Sequence, residues 1–389
     1  MGKIRKIFIE NAVKLYRVFS FGSQKIVYHS FPDFSDNSFA IFVYICNNYK
    51  EYSNIWLVKD TNLKHRYYNL AMNYTNNNNL LIVKKNSFLG LFHYLTANFV
   101  FHTHGMFNMF GLISTQKKIS LWHGMPIKNI GYLIEPKKKG VLISDYHIST
   151  SVFFQNIISK AFKTPLDSVL IVGQTRYDFL VESEISINHL FGSSKKYKKT
   201  ILWMPTYRKS VIGEIRIDGE ANPDIDFLSA KSLSKINQIL IKTESICYVK
   251  LHPMDYLQVE DFKSYSNFVF IDNDSFLDKG IALYSVFNSV DILLTDFSSI
   301  YIDFMLLNKP IGFVFSDYEE FKNSRGFVFS DAKKYMPGDI ITSIAKLEFF
   351  LNEVILKNND NYIKEREELK SIFHTYEKDF SKKLLDKVL

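Results

Sequence analysis

Leu293-Leu294-Thr295-Asp296-Phe297-Ser298-Ser299-Ile300-Tyr301-Ile302-Asp303-Phe304 reads as a buried strand, a hydroxyl-rich turn and the opening of a helix. Such a turn gathers the Ser298 and Ser299 hydroxyls with the unpaired N–H groups of a helix start, an arrangement that suits a phosphate group. Asp303 follows Ser299 by four residues, so the spacing predicts both on one helix face. Two further predicted strands end in polar motifs, Pro205-Thr206-Tyr207-Arg208 and Lys250-Leu251-His252-Pro253. In the first half of the chain another ends in Trp122-His123-Gly124-Met125-Pro126.

Working outward, short apolar runs alternate with longer helical patterns along the whole chain. Residues 26–28, 54–58, 80–83, 98–102, 118–122 and 169–172 read as strands of a first half. Residues 201–204, 246–251, 268–271, 291–295 and 310–315 read as strands of a second. Alternation of this kind predicts α/β architecture with parallel sheets. The polar, lysine-rich stretch 192–200 is the expected linker, dividing a first domain over residues 1–190 from a second over 191–389. The Lys- and Glu-rich tail, 358–389, reads as amphipathic helix. Ligands of open α/β sheets bind beyond the carboxyl ends of the strands, so two facing sheets would bring the four motifs to one cleft.

Composition narrows the classes. The chain has 389 residues, 47% hydrophobic and 23% charged, which fits a globular protein of two domains rather than a disordered one. Its 48 Lys and Arg against 40 Asp and Glu give a net charge of +8, suited to an anionic partner. The basic residues are dispersed, without a DNA- or RNA-binding motif, and nucleic acid is not an expected partner. Cys46 and Cys247 lie far apart in apolar runs, which argues against a disulfide framework. No apolar run nears the roughly 18 residues that span a bilayer. Residues 1–21 mix lysines and arginines with apolar residues and lack a secretory leader's pattern; they read as a docked surface helix or a basic helix resting on anionic lipid.

Each motif has a chemical and a plainer reading. His123, in a turn shaped by Gly124 and Pro126, can take a proton from an attacking hydroxyl, or can be a structural turn residue. His252, on the same side of its strand as Lys250, can offset charge on a phosphate leaving group, or can cap the strand. Thr206 offers a hydroxyl, while Arg208 and Arg176, in Gly173-Gln174-Thr175-Arg176-Tyr177-Asp178, offer planar forks of donors. Asp224-Ile225-Asp226 has the spacing of metal-dependent sugar transferases but follows no strand, so a solvated loop is the better reading. His102 and His104 lack the companions of a metal site.

These motifs, in this order, resemble the CDP-glycerol glycerophosphotransferases, the teichoic acid primase and polymerase family. The likeness begins at Asp36-Asn37 and continues past Asp303 to Arg325-Gly326 and Met336-Pro337-Gly338. It implies a GT-B fold, two Rossmann-like domains facing each other across a cleft. It also implies attack by an acceptor hydroxyl on the glycerol-bearing phosphate of CDP-glycerol, with release of CMP and no cofactor or essential metal. By motif, His123 would be the general base and His252 the partner of the diphosphate. Trp122, Gly124, Met125, Pro126, Arg176, Pro205, Thr206, Arg208, Lys250, Ser298, Ser299 and Asp303 would line the donor site. The implied acceptor is a glycan or polyprenyl-linked saccharide of the cell envelope, met at the inner face of the membrane. Met125, Thr175, Tyr177 and Tyr207 depart from the family's usual residues and leave the donor's alcohol, glycerol or ribitol, open. A nucleotide-sugar glycosyltransferase of the same fold and a catalytically silent glycan-binding member are the alternatives.

Overall fold

The computed structural model describes residues 11, 13, 24–76, 79–134, 142–192, 195–206, 227–252, 265–324 and 326–389. Two wholly parallel sheets organise them. The first contains β1 (Lys25–His29), β2 (Ser53–Val58), β3 (Leu80–Lys84), β4 (Phe99–His102), β5 (Lys117–Ser120), β6 (Tyr146–Ser149) and β7 (Val169–Ile171), in the order β3-β2-β1-β4-β5-β6-β7. The second contains β8 (Lys199–Met204), β9 (Ser245–Lys250), β10 (Phe268–Ile271), β11 (Ile292–Thr295), β12 (Ile311–Val314) and β13 (Asp339–Ile341), in the order β10-β9-β8-β11-β12-β13.

Parallel strands joined by crossover helices are buried on both faces, and the alternating side chains show it. In β1, Ile26 and Tyr28 enter one core with Trp56 and Phe101, while Val27 enters the opposite core with Ile55 and Val100. In β8, Leu202 faces one core and Ile201 and Trp203 the other. Strand order reverses between β1 and β4 in the first sheet and between β8 and β11 in the second. Each lobe therefore opens a crevice at that switch point, beyond the strand ends.

The lobes are stapled on one side. Val328 N donates to Ile127 O at 3.0 Å, Asn129 N donates to Gly326 O at 3.2 Å, and Met125, Ile127, Phe154 and Tyr177 share a core with second-lobe residues. A second contact joins the helix Lys64–Met72 to the helix Asn273–Lys279, where Arg66 pairs with Asp274 at 3.0 Å and Asp278 at 2.7 Å. The terminal helix Phe380–Val388, assigned by sequence order to the second lobe, crosses back and buries Leu384, Leu385 and Val388 in the first lobe's core. Asp178 holds its start by accepting from Phe380 N at 2.8 Å and Ser381 N at 2.9 Å.

The expected strands appear within a residue or two. β6 and β13, both short, are additions to the sequence reading, and the tail forms two helices, Ile363–Phe373 and Phe380–Val388, rather than one. Residues 1–10, Arg208, Asp224, Asp226, Pro253 and Arg325 lie outside the described residues.

Candidate active site

Strand ends β8 and β11 are neighbours, and side chains lock their loops together. Thr295 Oγ1 donates to Met204 O at 2.9 Å, and Asp296 accepts from Thr206 N at 3.0 Å and from Thr206 Oγ1 at 2.7 Å. Next in sequence, Phe297 anchors the turn by stacking on Phe321 at 4.3 Å between ring centres. Ser298 and Ser299 follow, half-exposed, and the Ser299 side chain makes no capping bond to its own helix. That helix is short, Ile300–Phe304, then a 3-10 turn, Met305–Leu307. A phosphate here would rest on hydroxyls and N–H groups more than on a long helix dipole.

The His123 loop of the first lobe reaches this turn. At Gly124, with φ of 146°, an added Cβ would lie 2.4 Å from Ser299 Oγ and 3.6 Å from Arg176 Nη2. Only glycine permits the approach. Trp122 also has positive φ, 50°, an unfavourable conformation for a bulky residue. Asn37 holds it there: its side-chain amide donates to Trp122 O at 3.1 Å, Leu121 O at 3.2 Å and Gln174 Oε1 at 3.0 Å. Asn37 Oδ1 in turn accepts from Arg176 N at 3.1 Å. The exposed His123 ring is packed between Trp122, 4.0 Å away, and His104, stacked at 4.6 Å and 11°. Thr103 Oγ1 sits 2.9 Å from His104 Nδ1 and fixes that second ring. Beneath the loop, His29 and His102 are buried; burial pushes His29 down to about 3 and holds His102 well below its ordinary value, so both are neutral structural imidazoles.

A cavity of about 640 Å³ lies between the lobes, and Arg176, Met204, Lys250, His252, Tyr284 and Ile300 are among its walls. Lys250 is 4% exposed; its ammonium donates to Leu251 O at 3.2 Å, and burial pushes its pKa down to about 8, against the pull of Asp272. His123 is not among the lining residues; it joins the cavity through Arg176, which donates from Nη1 to His123 O at 3.2 Å.

Two of the expected donor-site residues, Arg176 and Asp303, are paired with each other in a buried network. Asp303 is fully buried, and Arg176 Nη2 donates to it at 2.6 Å while the hydroxyls of Tyr177 and Tyr284 donate to its two oxygens. Arg176 Nη1 pairs with Asp36, and the guanidinium lies over the Tyr284 ring at 4.5 Å. Burial works against charge on both partners. For Arg176 the two carboxylates, Asp303 above all, more than offset it and hold the guanidinium ionised. Arg176 thus clamps the lobes together from the cavity wall, with Asp303 as its buried counter-ion and Asp36 as its second partner. Met125 is likewise fully buried in the shared core, leaving at most its backbone to the cleft. Trp122, Gly124, Pro126, Pro205 and Thr206 fall where the strand ends place them, the last occupied by Asp296.

With this geometry in hand, the chain matches over residues 11–389 the family described as CDP-glycerol:poly(glycerophosphate) glycerophosphotransferase. It belongs to that family. A teichoic acid poly(glycerol phosphate) polymerase of Bacillus spizizenii is 28% identical, over 94% of this chain and 91% of the relative. A teichoic acid glycerol-phosphate transferase of Staphylococcus aureus is 26% identical, over 64% of each chain. Among solved structures, a wall teichoic acid polymerase, TagF, aligns with a TM-score of 0.74 at 19% identity, covering 99% of this chain and 97% of that one. A UDP-GlcNAc 2-epimerase from Neisseria meningitidis aligns at 0.53 with 13% identity, covering 94% and 99%. At these identities the structural likeness shows the fold, which is GT-B.

For this glycerophosphotransferase, sequence reasoning did not foresee the work of Asn37, Tyr177 and Tyr284. Asn37 carried one signal, the Asp36-Asn37 pair at which the family likeness begins, which assigns it no role. Tyr284 carried none. Among the described residues no cluster of three or more His, Cys, Asp or Glu is placed to hold a metal ion.

Proposed function

We propose that His123 and His252 divide the chemistry of glycerol phosphate transfer from CDP-glycerol to a hydroxyl of a cell-envelope glycan. The acceptor oxygen bonds to the glycerol-bearing phosphorus, the bridging P–O bond breaks, and CMP leaves. His123 Nδ1 or Nε2 takes the acceptor's proton; its ring is exposed, and its neighbours Trp122 and His104 restrict its rotation, which keeps it aligned. His252 and Lys250 offset the charge that gathers on the departing CMP phosphate, and Ser298 and Ser299 hold the phosphate oxygens. The observation that carries this reading is the contact of Gly124 with Ser299, which brings the base's loop onto the phosphate turn of the other lobe. A lipid-linked saccharide at the inner face of the membrane is the acceptor that this reading favours.

Purified protein offered CDP-glycerol, CDP-ribitol and UDP-sugars with a short saccharide acceptor is expected to release CMP from CDP-glycerol. Turnover of a UDP-sugar with no CDP-alcohol consumed would replace this function with glycosyl transfer.

Lys250 makes donor binding depend on pH. Its ammonium is charged below about pH 8 and attracts the diphosphate; above that it loses its proton and the attraction. Affinity for CDP-glycerol is expected to be level from pH 7 to about 8 and then to weaken, by up to about tenfold per pH unit. Lys250→Met is expected to bind weakly with a flat profile across that window. A wild-type profile as flat as the variant's would remove Lys250 from the donor site.

A further inference from the structure

Phe31, His104 and His123 leave the ends of β1, β4 and β5, three adjacent strands of the first sheet, and their rings meet. Phe31 packs edge-on to His104 at 5.5 Å and 72°, and His104 lies nearly parallel to His123 at 4.6 Å and 11°. The half-buried His104 is fixed by more than its rings. Thr103 Oγ1 lies 2.9 Å from its Nδ1, and its carbonyl accepts from His102 Nδ1 at 2.9 Å. Thr103 N in turn donates to His29 O at 3.1 Å, which ties the loop back to β1. Phe31 lines the cavity between the lobes, whereas His104 and Thr103 do not. His104 therefore acts on the reaction through His123 rather than on the donor.

When His123 takes the acceptor's proton, the O–H electron pair stays on the oxygen that attacks phosphorus, and the ring becomes an imidazolium. A cation is attracted to the face of a neutral aromatic ring, and parallel stacking presents that face. Two imidazolium rings at the same spacing would repel, so the stack accommodates one charge. The surroundings leave that charge to His123. Behind His104, His29 and His102 are buried and neutral. Positive charge stands beyond them, at Lys85, whose Nζ lies 3.1 Å from His29 Nε2, and at Lys118, which acts on His102. The carboxylates acting on these two lysines are Asp33 and Asp145, both engaged by backbone N–H groups. On the other side Arg176 is balanced by Asp36 and Asp303 and gives Nη1 to His123 O.

We infer that His104 is a positioning residue for the general base: its neutral ring face aligns the His123 imidazole and stabilises the imidazolium formed there during transfer. This rests on the proposed role of His123, and one of its measurements needs no turnover. Wild type is compared with His104→Leu, which fills the space without a ring face, and with His104→Phe, which restores the face without ring nitrogens. In His104→Leu, kcat for CMP release is expected to fall about three- to tenfold, with the KM for CDP-glycerol within about twofold of wild type. Losing a stabilised imidazolium makes the base weaker, so the acidic limb of the kcat profile is expected to move to lower pH, by about half a pH unit. His104→Phe is expected to recover most of the rate and to return the limb. NMR titration of the His123 ring in isotopically labelled protein reads the same displacement without substrate.

A His123 titration that does not move in His104→Leu would reduce His104 to packing. Movement to higher pH would show that His104 itself carries the charge. A low rate or a displaced limb in His104→Phe would make the ring nitrogens, not the face, responsible. Each of these overturns the inference. The expected NMR displacement in a protein whose His123→Ala variant still turns over would instead overturn His123 as the base, and leave the coupling between the two rings standing.

Discussion

His123→Ala is expected to lower the rate of transfer by about 100- to 10,000-fold while CDP-glycerol binding stays within about twofold of wild type. The magnitude is that of a positioned general base, and the split follows from where the ring sits. His123 is exposed between Trp122 and His104, and its backbone carbonyl is tied to the Arg176 clamp. Removing the imidazole leaves that carbonyl, Gly124 and the Ser299 contact in place, so the donor's seat survives. Single-turnover CMP release alongside calorimetric CDP-glycerol binding reads the two quantities separately. Near-normal turnover would show that the acceptor's proton leaves by another route, and a parallel collapse of binding would make the residue part of the donor site.

Arg176→Met carries the second large effect, on stability. It leaves Asp303 buried with two tyrosine hydroxyls but no cation, and removes the partner of Asp36. Breaking a buried pair in this way costs about 3–5 kcal/mol, because the remaining charge cannot return to water. Denaturant titration is expected to show that loss, and Arg176→Lys to restore little of it, since an ammonium cannot span two carboxylates as a planar fork does. If Arg176 serves the donor alone, the same substitution leaves stability near wild type and weakens only donor binding. The two measurements on one variant therefore separate clamp from ligand.

Most of the architecture was legible because burial writes itself into the chain. Strands such as β1, β8 and β11 are enclosed along their centres and show as apolar runs, whereas β6, Tyr-His-Ile-Ser, and β13, Asp-Ile-Ile, are short and offer little periodicity. The candidate site was legible at the level of strand ends: His123, His252, Lys250 and Ser299 all emerge from them, as the topology of open sheets requires. What could not be read was pairing across distance. Arg176 and Asp303 are 127 residues apart, and nothing local distinguishes a guanidinium meant for phosphate from one meant for a carboxylate. The burial of Met125 was hidden for a related reason: the loop it occupies serves two lobes at once, and its side chain turns toward the seam.

The terminal helix has a consequence for how the molecule comes into being. Leu384, Leu385 and Val388 complete a hydrophobic interior whose other walls were laid down more than two hundred residues earlier, by Phe39, Phe42 and their neighbours. The amino-terminal half thus emerges from the ribosome with a groove in its side that waits for a segment made much later. The two halves are threaded together like a belt passed back through its own buckle.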